Sequence, residues 1–217
     1  MKGQIDMAKR KRRNSTKSSR QVHEAEVERL ANAFLEHYQG KRLDQAVSLA
    51  REITERYPTA SFGWKALGTA LMEAGDPHSA VAPLERSLEF QPDNPETLTN
   101  LGKTLQQLGR YDEAEASLNH ALKQQPDNYQ ANMHLAGIYQ QRGHRDQALD
   151  YYERSLESLP NAVLAQLRKA TALVEQRAYD QALAILEPLA EQRPMAVGVL
   201  TNLANLYATM RIFDKAE

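Results

Sequence analysis

Alanine and proline recur in this chain on a fixed step of 34 residues, and that period limits the possible folds more than any other feature. A unit starting at Ser61 has Ala80 at its twentieth place and Pro92 at its thirty-second. The same alanine returns as Ala46, Ala114, Ala148, Ala182 and Ala216, and the same proline as Pro58, Pro126, Pro160 and Pro194. A period of this length, free of insertions, marks a stack of like helical hairpins in place of one central core. Each hairpin then buries apolar surface only against its neighbours.

The residues between these markers resemble the tetratricopeptide repeat, with its W-x2-L-G-x2-Y, then A, then P pattern. They are Trp64, Leu67, Gly68 and Leu71 in the second unit and Leu98, Leu101, Gly102 and Leu105 in the third. The fourth supplies Leu135, Ala136 and Tyr139, and the sixth Leu200, Leu203, Ala204 and Tyr207. The resemblance implies an all-α fold, an α-solenoid of tandem helix-turn-helix hairpins forming a superhelix. Its units are 27–60, 61–94, 95–128, 129–162, 163–196 and a partial 197–217, within an array over 23–217 that follows a basic arm, 1–22. Two units depart from the pattern: Phe34 stands where a small residue is expected, and Lys169 replaces a leucine.

Small residues at Gly68, Gly102, Ala136, Ala170 and Ala204 let the two helices of a hairpin approach closely. Asp44, Asp112, Asp146, Asp180 and Asp214, each two residues before the periodic alanine, read as caps of the second helices. The recurring proline ends one helix and sets the turn into the next. Kinks are expected at Pro83 and Pro188, and Trp64 is expected to pack between hairpins.

Charge is unevenly divided. Residues 1–20 hold eight basic side chains against Asp6, a net of +7, which leaves −8 on the rest of a chain whose formal net charge is −1. The run Lys9 to Arg13 with the polar residues after it has no apolar periodicity and reads as a disordered, solvated leader. Contact of residues 1–20 with nucleic acid or an anionic surface is the alternative, although no aromatic residue is interleaved there to stack on bases. No apolar stretch is long enough to span a bilayer, and there is no cysteine, so disulfides and thiolate chemistry are excluded. A cytoplasmic location is expected.

Apparent catalytic strings fall into the repeat. Gly102, Lys103 and Thr104 lack the earlier glycine of a phosphate loop, since Thr97 holds its place. His144, Arg145 and Asp146 lack the asparagine of a kinase loop, which is Tyr151 here. The six histidines form no i, i+4 pair, so no metal, cofactor or catalytic residue is expected.

What the resemblance implies instead is a groove lined by the first helix of each hairpin, at the second, fifth, sixth, ninth, twelfth and thirteenth places. On this chain the candidate peptide-binding residues are Asn32, Lys65, Asn100, Lys103, Gln107, His134, Gln141, Arg168, Asn202 and Asn205. Gln106 and Gln140 fall on the same places. Amide side chains donate and accept, and so can hold the backbone of an extended peptide. The partial asparagine row is similar to the ladder of O-linked N-acetylglucosamine transferases, interrupted by Ala66, His134 and Arg168. A clamp for a terminal carboxylate is matched at Lys65 and Asn100 but not at Thr69, Gln130 or His134. The expected function is a noncatalytic scaffold that binds a protein or extended peptide. The alternative is the substrate-recruiting amino-terminal array of a larger bacterial glycosyltransferase or sulfotransferase. Because the sixth unit stops at Glu217, a following domain, or self-association through the uncapped last hairpin, is also expected.

Overall fold

The computed structural model describes residues 26–210, which form helices and turns with no strand among them. They fall into two compact units divided after Pro92. The first holds α1 (26–39), α2 (Leu43–Arg56), α3 (Ser61–Glu73) and α4 (Pro77–Phe90). The second holds α5 (Pro95–Gln107), α6 (Tyr111–Gln124), α7 (Tyr129–Gln141), α8 (Arg145–Ser158), α9 (Val163–Glu175), α10 (Tyr179–Gln192) and α11 (Val197–Thr209). The basic arm and Asp214 lie outside the described residues. No described helix is long and apolar enough to cross a membrane.

Within a unit, consecutive helices pack as hairpins, and α5 and α9 also lie beside the next first helices, α7 and α11. The second helices end at Arg56, Phe90, Gln124, Ser158 and Gln192, each two residues short of a periodic proline. The residue before each proline takes a non-helical ψ of 62° to 88°, as crowding by the proline ring requires. Asn94 and Asn128 cap α5 and α7, their side chains accepting from the amides of Thr97 (2.9 Å) and Ala131 (3.0 Å).

Close approach inside the hairpins has a measurable cause. A Cβ added at Gly68 would lie 2.5 Å from Leu84 Cγ and 3.0 Å from the Ala80 carbonyl oxygen; at Gly102 it would lie 2.5 Å from Leu118 Cγ. The twenty-fourth place thus carries the bulk that the eighth place omits. It is Leu84, Leu118, Tyr152 and Leu186 in units two to five, all fully buried. In the first unit the sizes are exchanged: Phe34 fills the eighth place and Ala50 the twenty-fourth, both inside one buried cluster. Phe34 is 4 % exposed, stacks on Tyr38 and meets Phe62 edge-on.

Two expectations need correction. Trp64 is partly exposed, not buried between hairpins; its Nε1 donates to the Pro58 carbonyl at 2.8 Å. Asn132 Nδ2 and Gln166 Nε2 make the same bond to Pro126 and Pro160 at 3.3 and 2.9 Å. The fourth place therefore works as a hydrogen-bond donor that ties the inter-repeat turn, which an amide does as well as an indole. The aspartates, too, do not cap. Asp44, Asp112, Asp146 and Asp180 are the second residues of their helices, where they favour the helix dipole without capping. Two of them clasp the next repeat: Asp112 pairs with Arg142, and Asp146 accepts from Gln176 at 3.0 Å. The side-chain cap appears in the exceptional unit, where Asp76 accepts from the Ser79 amide at 3.0 Å; hydrogen bonding by the Ser79 side chain first, and then by its amide, lowers the carboxyl pKa. Pro83 and Pro188, where kinks are expected, both lie inside continuous helices, α4 and α10.

Between the helices of a hairpin the chain turns through a left-handed residue. It is glycine at Gly75, Gly109 and Gly143, but Lys41 and Arg177 hold the same place with φ of 55° and 63°. A side chain there costs about 1–2 kcal/mol. Arg177→Gly is expected to stabilise the second unit by about 1 kcal/mol in a denaturant titration, the gain trimmed by the looser unfolded chain. A lower midpoint would show that the arginine side chain contributes more than the strain it bears.

Candidate functional site

The first helices of the second unit enclose an open cavity of about 740 Å³. From α7 it is lined by Tyr129, Gln130, Met133, His134, Gly137, Gln140 and Gln141, and from α9 by Leu164, Arg168, Thr171 and Glu175. Lys103 and Gln106 of α5 close one side, and Tyr152 of α8 reaches in from behind. Of the ten candidate residues, Lys103, His134, Gln141 and Arg168 therefore meet at one place. Asn100, Gln107, Asn202 and Asn205 belong to the same unit but do not line this cavity; Asn32 and Lys65 belong to the other unit.

Two hydrogen-bonded clips organise the floor. Gln106 Nε2 donates to the His134 carbonyl at 3.4 Å, which leaves Gln106 Oε1 to accept from His134 Nδ1 at 2.8 Å. The imidazole thus carries its proton on Nδ1 and a lone pair on Nε2. Burial, with Lys103 nearby, pushes its pKa down to about 4, so it is neutral at physiological pH. Gly137 makes this clip possible, since a Cβ there would lie 3.0 Å from Gln106 Nε2.

In the second clip, the Tyr152 hydroxyl donates to Gln140 Oε1 at 2.8 Å, and Gln140 Nε2 donates to Glu175 Oε1 at 2.9 Å. Burial pushes the Tyr152 pKa up to about 12, and the hydroxyl stays protonated as the donor this clip needs. Tyr152 stands where leucine stands in the neighbouring repeats, and its extra length carries a polar tip to the cavity. That substitution within the period was the available signal for a residue the positional reading missed. Met133, Leu164, Thr171 and Glu175 also line the cavity from groove places but are neither amides nor cations, and Tyr129 lines it from the first place, outside the groove pattern.

A separate polar cluster joins α6 to α7. The Tyr139 hydroxyl donates to Glu115 Oε1 at 2.5 Å, Arg142 bonds Glu115 and Asp112, and Tyr139 stacks on Tyr151 with centroids 5.3 Å apart. Every charge here has an opposite partner, and Tyr139 is pushed well above its ordinary pKa, chiefly by burial and then by Glu115. It is inter-repeat adhesive. Among the described residues no group of three or more metal-ligating side chains converges.

A run of helical hairpins, with side chains of successive first helices converging on an open cavity, defines a repeat scaffold. The sequence model for the tetratricopeptide domain of cytochrome c-type biogenesis protein H matches residues 44–165, more than half of the chain, and a general tetratricopeptide-repeat model matches residues 139–206. The chain belongs to the tetratricopeptide-repeat family. Among solved structures it is similar to pilF of Pseudomonas aeruginosa, at 23% identity over 88% of this chain and 86% of that one, with a TM-score of 0.76. MamA of strain AMB-1 is 25% identical over 77% of this chain and 99% of its own, with a TM-score of 0.65. YrrB, described as a tetratricopeptide-repeat protein with an unusual peptide-binding site, is 17% identical over 79% and 89%, with a TM-score of 0.63. The likenesses to pilF and YrrB bear on fold alone. No curated protein matches the chain.

Proposed function

We propose that the chain is a noncatalytic, cytoplasmic protein-binding scaffold whose α5, α7 and α9 face takes an extended peptide from its partner. The observation that carries this reading is the lining itself. Side chains at equivalent places of three successive first helices meet in one open cavity that mixes an apolar wall with a few fixed polar groups, the composition expected of a recognition site. YrrB, similar in fold, has a peptide-binding site, which lends the reading support.

The test is a selection of random peptides displayed on phage against the full chain, followed by affinity measurements on the winners. Leu164 is 56 % exposed, so Leu164→Asp leaves the fold unstressed. Selected peptides are expected to lose about tenfold or more in affinity to this variant, equivalent to about 1.4 kcal/mol, with helical circular dichroism unchanged. Winners indifferent to Leu164→Asp would place the binding face elsewhere.

A further inference from the structure

Two of the four glutamine amides that line this face, those of Gln106 and Gln140, are already engaged with neighbouring residues. Gln106 is bonded to His134, and Gln140 is bonded to Tyr152 and Glu175. A ligand gains little from groups whose hydrogen bonds it must first break. What the face presents beside Gln130 and Gln141 is charge and apolar surface. Arg168 is exposed, Lys103 stands across the cavity on α5, and Met133 and Leu164 supply an apolar wall. The lining carboxylate, Glu175, accepts from Gln140, and His134 is neutral. Two cations against one hydrogen-bonded carboxylate form a local inversion in a chain whose residues beyond the first twenty carry −8.

We propose, building on the peptide-binding reading above, that the occupant is an acidic extended segment bearing a large apolar side chain. The apolar group rests on Met133 and Leu164, and flanking carboxylates meet Arg168 and Lys103. Arginine suits this role because its planar fork holds a carboxylate through two parallel hydrogen bonds. The chain's own basic arm is a poor occupant, being of the same sign as the cations it would face.

The probe is a short fluorescein-labelled peptide alternating Asp with Leu and Phe, titrated into the full chain by fluorescence anisotropy. Its companion has every Asp replaced by Asn. The acidic peptide is expected to bind about tenfold more tightly than the amide one, and to lose that advantage in Arg168→Gln combined with Lys103→Gln and on raising salt. Equal binding of the two peptides, with both weakened by Leu164→Asp, would overturn the acidic preference while leaving the groove intact. Failure of both peptides to bind, in a chain whose phage-selected peptides still depend on Leu164, would overturn the inference and leave the groove reading standing. An acidic advantage that survives the double variant would assign it to the basic arm and overturn the inference. So would a labelled oligothymidine that binds as tightly as the acidic peptide and depends equally on Arg168.

Discussion

Phe34→Ala is expected to lower the stability of the first unit by about 3–5 kcal/mol, the cost of emptying a buried aromatic site that its surroundings cannot fill. Phe34 is 4 % exposed and makes ring contacts with Tyr38 and Phe62. Nearest-neighbour energetics confine the loss to the adjoining hairpins, so a urea titration followed by circular dichroism should separate an early transition from the rest. The structure adds a sharper expectation: Phe34→Ala with Ala50→Leu, which restores the size pattern of the other hairpins, should recover a substantial part of the loss. A double variant no more stable than Phe34→Ala alone would show that bulk is not exchanged between these two places.

Gly102→Leu tests the opposite limit. The site has no room, since even a Cβ would come within 2.5 Å of Leu118 Cγ and 2.7 Å of its Cδ2. Overpacking of this kind costs about 1–3 kcal/mol or more, and the upper part of that range is expected because the crowding reaches a branched carbon and not a free side-chain tip. Gly102→Ala adds that same Cβ and is expected to destabilise less than leucine does, its crowding offset in part by the roughly 1 kcal/mol of helix propensity that alanine has over glycine. Pairing Gly102→Leu with Leu118→Ala should return most of the stability, reproducing the arrangement at Phe34 and Ala50. A Gly102→Leu variant that melts with the parent would mean that this hairpin is not held at the separation described.

These two sites also show how far the sequence could be read. Among the described residues α3, α5, α7, α9 and α11 begin at steps of 34, and the residues that set this step, such as Ala80 and Pro92, are those whose size or ring makes helix contact and turn possible. Phe34 was visible as a departure, but its meaning depended on Ala50, sixteen residues away in the sequence and opposite it in the hairpin. The aspartates misled for a related reason. A carboxylate near a helix start looks the same in sequence whether it caps its own helix, as Asp76 does, or clasps the next repeat, as Asp146 does.

The candidate site divides in the same way. The family resemblance named Lys103, His134, Gln141 and Arg168 among ten candidates, and these four line one cavity, whereas the pairing of Gln106 with His134 and of Gln140 with Tyr152 and Glu175 had no linear trace. The sequence by itself determined the repeat and its register, because these follow from the spacing of residue size and hydrophobicity along a helix of fixed pitch. Only the tertiary structure decided which polar groups satisfy one another. That outcome depends on distances between side chains on different helices, which no one-dimensional pattern contains.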